Sequence, residues 1–79
     1  MDINVLINTI DGVKKFNKIM MGYDCDLDLT AHNRRYVIDA KSLMGIFSLD
    51  LSHPLTLTIH SSDQMLIDHI KIDIAEFVC

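Results

Sequence analysis

From Tyr23 to Thr30 the chain reads YDCDLDLT, and this unbroken alternation leaves little choice of structure. In an extended strand successive side chains point to opposite faces, so Tyr23, Cys25, Leu27 and Leu29 share one side and Asp24, Asp26, Asp28 and Thr30 the other. A strand that is apolar on one face and acidic on the other belongs in a sheet packed on one side and wet on the other. The rest of the chain must then supply partner strands and a cover for the apolar face.

The partners are legible. Asp2 to Asn8 (DINVLIN) places Ile3, Val5 and Ile7 on one face, and Leu55 to His60 does the same with Leu55, Leu57 and Ile59. After Thr30 the polar cluster Ala31-His32-Asn33-Arg34 predicts a turn, and Arg35 to Asp39 resumes a strand, which makes the pair a hairpin.

The cover comes from three helical segments. Between Ile10 and Gly22, Val13, Phe16, Ile19 and Met20 recur at helical spacing while Lys14, Lys15 and Lys18 face outward, and Gly22 is a natural stop. Ser42 is placed to cap a second, short helix of about two and a half turns, Ser42 to Leu51, that is over before Pro54. The last segment opens on Ser61-Ser62-Asp63-Gln64, a capping-box pattern with Ser61 as the cap. Its Leu66, Ile70, Ala75, Phe77 and Val78 fit a helix, whereas Ile70-Lys71-Ile72-Asp73-Ile74 alternates as a strand would. The run of residues without a turn signal favours helix.

The order βαββαβα implies an α+β fold with one sheet and its helices on one face. The 79 residues, 49% hydrophobic and 23% charged, suit one globular domain over residues 1–79, and a chain this short buries only about 60% of its unfolded surface. The net charge of −4 and the absence of a basic run argue against nucleic acid as a partner. No apolar run is long enough to span a bilayer, and MDINVLINTID does not read as a signal peptide, so no membrane association and a cytoplasmic location are expected. In that setting Cys25 and Cys79 are expected as free thiols.

The stretch KSLMGIFSLDL is the most specific feature. With the element order, Lys41, Ser42, Leu43, Met44, Gly45, Ile46, Phe47, Ser48 and Leu49 resemble the regulatory motif of HPr, the small phosphocarrier of the bacterial sugar phosphotransferase system. The resemblance runs from Asp2 to Val78. It implies an HPr-like open-faced β-sandwich, a four-stranded antiparallel sheet with three helices on one face. It also implies that Ser42 is the regulatory phosphorylation site of an ATP-dependent kinase. Leu43, Met44 and Phe47 then become a partner-binding patch on the short middle helix. The partners it suggests are enzymes of the phosphotransferase system, HPr kinase or a transcriptional regulator.

The family's transfer chemistry needs a nucleophilic imidazole, held in HPr by a His-Ala-Arg-Pro stretch before the first helix. Asn8 to Val13 (NTIDGV) has no His, Arg or Pro, and Asp11 would repel a phosphoryl group. The resemblance is thus to a member lacking the active-site histidine. No enzymatic activity and no cofactor are expected.

Other readings stand beside this one. Ser42 is either a regulated site or only a helix cap, worth about 1 kcal/mol. Leu43, Met44 and Phe47 are either a docking patch, plain core or a homodimer contact. His53 is either a relocated nucleophile near the first helix or a solvated turn residue. His32, His60 and His69 have no partner at metal-ligand spacing, so no metal site is expected and they read as surface residues. Side chains along the stripe Asp24, Asp26 and Asp28 do not converge on one point; a solvated face is expected, with Arg34 or Arg35 across the hairpin. A small-molecule-binding ferredoxin-like module shares much of the element order but needs a longer second helix than Ser42 to Leu51 allows.

Overall fold

The computed structural model describes residues 1–31 and 36–79. Its elements are β1 (Asp2–Val5), α1 (Ile10–Met21), β2 (Asp26–Thr30), β3 (Val37–Asp39), α2 (Leu43–Phe47), β4 (Leu55–His60), α3 (Gln64–Asp73) and a closing 3-10 turn, Ala75–Phe77.

The strands form one four-stranded sheet in the order β1-β4-β2-β3, antiparallel throughout. The register turns the alternation of each strand into rows across the sheet. Ile3, Leu57, Leu29 and Ile38 make one such row on the core face, and Asp2, Thr58, Asp28 and Asp39 make its neighbour on the open face. All helices lie on the first face. Val13, Phe16 and Met20 of α1, Ile46 of α2, and Ile67 and Ile70 of α3 join Ile74 and the inward strand residues in one buried cluster.

The ambiguous run at the end of the chain is resolved by its isoleucines. In a strand Ile70, Ile72 and Ile74 would share a face; in a helix only residues four apart do. Ile70 and Ile74 are fully buried while Ile72 is 72% exposed, so the segment is helical. The 3-10 turn then carries Phe77 back onto Phe16, ring centroids 5.5 Å apart and nearly perpendicular. The chain ends beside β1: Leu6 N–H donates to the Phe77 carbonyl at 2.8 Å and Cys79 N–H to the Asn4 carbonyl at 3.1 Å. That segment covers an edge that would otherwise present unpaired backbone groups.

Several boundaries differ from the sequence reading, each for a local reason. β1 stops at Val5 because Leu6 turns its N–H to the C-terminal segment, although Ile7 remains buried. β2 begins at Asp26; Tyr23 and Cys25 pack half-buried on the core without joining the ladder. The cap of α3 is Asp63 and not Ser61, since the Asp63 carboxylate accepts from the N–H of Met65 at 3.0 Å and of Leu66 at 3.4 Å. Ser61 Oγ accepts instead from Asp63 N–H, and Gln64 donates its amide to Asp68. The α2 helix is five residues long, shorter than two and a half turns. So short a second helix also disfavours the ferredoxin-like alternative. The expected turn at His32-Asn33-Arg34, the start of its second strand at Arg35, and the pairing of Arg34 or Arg35 with the Asp stripe lie outside the described residues.

Candidate docking surface

The β3–α2 corner is built by short-range bonds. Ala40 N–H continues the ladder by donating to the Leu27 carbonyl at 2.8 Å, and the Asp39 carboxylate accepts from Lys41 N–H at 2.9 Å. Ser42 N–H donates to the Asp39 carbonyl at 2.9 Å. Ser42 then caps α2: its backbone is extended, and its Oγ accepts from Gly45 N–H at 3.2 Å. Gly45 is the residue that lets α2 lie this close, because a Cβ there would stand 3.1 Å from Ser42 Oγ and 3.4 Å from Ile38 Cβ.

The apolar residues of α2 divide between core and solvent. Ile46 is fully buried and Leu49, just beyond the helix, is 7% exposed. Leu43 is half-buried against the core cluster. Met44 is 78% exposed and Phe47 37%. Two of the three expected patch residues thus face solvent beside the exposed Ser42, and Leu43 is shared with the core. On the inner side, the buried Asn17 of α1 donates its amide to the Ala40 carbonyl at 3.3 Å, tying the two helices' supports together.

At the start of α1 the pattern of α2 repeats, with Thr9 Oγ1 accepting from Gly12 N–H at 2.9 Å. The hollow beside it is lined by Asn8, Thr9, Asp11, Lys15, Glu76 and Phe77 among others, and Lys15 is paired with Glu76 at 2.7 Å. His53 is not among the lining residues; its Nε2 lies 3.9 Å from Asp50 Oδ2.

The open sheet face carries Asp28 and His60, 2.6 Å apart; His60 is the surface residue that the sequence reading expects, but its pairing across β2 and β4 is not anticipated there. Asp24 and Asp26 are solvent-exposed, as is His69 on α3. Among the described residues no group of His, Cys, Asp and Glu converges in a way that could hold a metal ion. Cys25 and Cys79 are free thiols.

A second unanticipated bond joins the ends of α1 and α3, where Tyr23 donates its hydroxyl to Asp73. Burial first, and then the hydrogen bond to and charge of Asp73, push the Tyr23 pKa from 10.0 up to about 12. The folded protein keeps this proton where an unfolded chain has lost it. The stability contributed is therefore complete below pH 10 and disappears as pH rises through 12. Tyr23→Phe should flatten the fall of the urea midpoint across that alkaline window; an identical fall in both proteins would show that the Tyr23 hydroxyl is not held protonated by the fold.

No protein-family model matches the chain, and no curated protein does. Among solved structures the chain is similar to the crystal structure of HPr-C-His from Thermoanaerobacter tengcongensis, with a TM-score of 0.74 over 96% of this chain and 91% of that one. At 19% identity the likeness shows the fold: this is an HPr-like open-faced sheet with three helices on one side. No described helix is long and apolar enough to cross a membrane.

Proposed function

We propose that this chain is a single-domain, HPr-like regulatory module that docks a protein partner through α2 and has no phosphohistidine transfer. The observation that carries the reading is the divided helix. Ile46 anchors the helix in the core, while Met44, 78% exposed, and Phe47 stand at the surface beside the exposed Ser42, so the apolar side chains that a partner could cover lie next to the candidate phosphorylation site. Ser42 is the regulatory phosphorylation site. A phosphoryl group on its exposed Oγ adds about −1.5 to −2 charge next to Met44, and so changes which partner surface is accepted. The partners of choice are the protein partners of HPr in the cytoplasm: phosphotransferase-system enzymes, HPr kinase or a transcriptional regulator.

The residues at the start of α1 support the reading that transfer chemistry is lost. A phosphoryl acceptor there needs an imidazole and cationic or N–H donors around it. Asn8 to Val13 supplies neither His nor Arg, Lys15 is held by Glu76, and Asp11 adds a repelling charge.

The test is a pair of measurements on the intact protein. Incubated with phosphoenolpyruvate and the phosphotransferase enzymes, it should take up no acid-labile phosphate; a label that disappears in His53→Ala would establish a working phosphocarrier instead. Titrated with HPr kinase, its backbone NMR shifts should move at Leu43, Met44, Phe47 and their neighbours; shifts centred on the open sheet face would contradict docking through α2.

A further inference from the structure

We infer that Asn17 is a positioning residue for the docking surface: its amide, donated to the Ala40 carbonyl, fixes where α2 stands against α1. The inference rests on the reading of α2 given above, but its first readout does not.

Asn17 is the buried polar side chain among the described residues, 7% exposed on the face of α1 that also carries Val13, Phe16 and Met20. An apolar residue there would bury as much surface and need no partner. The Asn amide instead reaches across 23 residues of sequence to one backbone oxygen. That oxygen belongs to Ala40, which is itself fully buried and whose N–H is already committed to Leu27.

The place of this bond gives it its effect. Ala40 is two residues before the cap Ser42, at the corner where the chain leaves β3 for α2. A helix of five residues has no stability of its own, so its position is set by its anchors. Ile46 and Leu49 anchor it through apolar contacts, which tolerate sliding and rotation. The Asn17 bond is directional and fixes a distance and an angle between α1 and the corner. Without it the buried Ala40 carbonyl loses its Asn17 donor, which favours conformations in which the corner opens to water.

The experiment compares wild type with Asn17→Leu, which keeps the apolar burial and removes the donor. Amide hydrogen exchange is read at Gly45, Ile46 and Ser48 in and after α2, and at the ladder amides of β2 and β4. The α2 amides should exchange about tenfold faster relative to the ladder amides, and the urea midpoint should fall by no more than the loss of one buried hydrogen bond explains. Unaltered protection in α2, or equal acceleration everywhere, would overturn the inference. Should the leucine not fit, Asn17→Ala is judged by the same criterion, the acceleration in α2 relative to that in the ladder.

A second readout uses HPr kinase and ATP: a loosened surface should raise the KM for Ser42 phosphorylation and leave kcat unchanged. An unchanged KM on a wild type that is phosphorylated would overturn the link between Asn17 and docking. A kinase that ignores the wild-type protein would instead count against the docking reading, while the exchange result still decides the role of Asn17.

Discussion

Phe16→Ala should cost the protein about 3–5 kcal/mol, a large part of what a domain of this size possesses. Phe16 is fully buried at the centre of α1 and meets Phe77 edge-on at 5.5 Å. Truncating it removes the transfer free energy of a ring and leaves a cavity that backbone anchored on several sides cannot close. Phe77 is held by its own backbone, whose carbonyl accepts from Leu6 and whose N–H donates to Ile74, so it cannot swing in to fill the space. The damage should therefore spread to the C-terminal segment that covers β1. Urea unfolding at constant slope measures it. A loss below about 1 kcal/mol would mean that Phe16 does not stand in a close-packed core.

Met44→Asp should do the opposite, leaving stability alone and removing binding. Met44 is 78% exposed, so placing a carboxylate there costs the folded state little, within about 0.5 kcal/mol. At the centre of an apolar contact the same carboxylate would have to be desolvated with no partner. Loss of an anchor of this kind weakens an interface by about 2–4 kcal/mol, or roughly thirtyfold to a thousandfold. Calorimetric titration of HPr kinase with wild type and variant measures this. Unaltered affinity would mean that α2 is not the docking element, and a large fall in the urea midpoint would mean that Met44 belongs to the core after all.

What could be read from the chain alone, and what could not, follows the range of the interactions. The alternation of YDCDLDLT and of Leu55 to His60 specifies which face of the sheet is buried, because it depends only on neighbouring residues. The same local logic places Ser42 as a cap. At the end of the chain Ile70, Ile72 and Ile74 alternate as a strand would, and the length without a turn signal is what favours helix; the burial of Ile70 and Ile74 with Ile72 exposed bears that out. Local logic picks the wrong cap for α3, Ser61 in place of Asp63, because the Ser61 hydroxyl accepts from Asp63 N–H ahead of the helix while the Asp63 carboxylate takes the first-turn N–H groups. Contacts between distant residues leave no periodic signal at all. Tyr23 with Asp73, Asp28 with His60, Asn17 with Ala40 and the return of Phe77 to Leu6 are each made only when the sheet and its helices have come together. In the candidate site, the motif around Ser42 singles out Leu43, Met44 and Phe47; that Leu43 is shared with the core while Met44 and Phe47 face solvent depends on how the helix is seated.

A surface at Ser42 that a protein partner reads should be open to HPr kinase. The most direct measurement is the intact mass of the purified protein after incubation with ATP and HPr kinase, followed by location of the modified residue. One phosphoryl group is expected, on Ser42, and none in Ser42→Ala. A protein that stays unmodified, or carries its phosphate elsewhere, would rule out Ser42 as a regulatory site and leave it as the cap of α2 and nothing more.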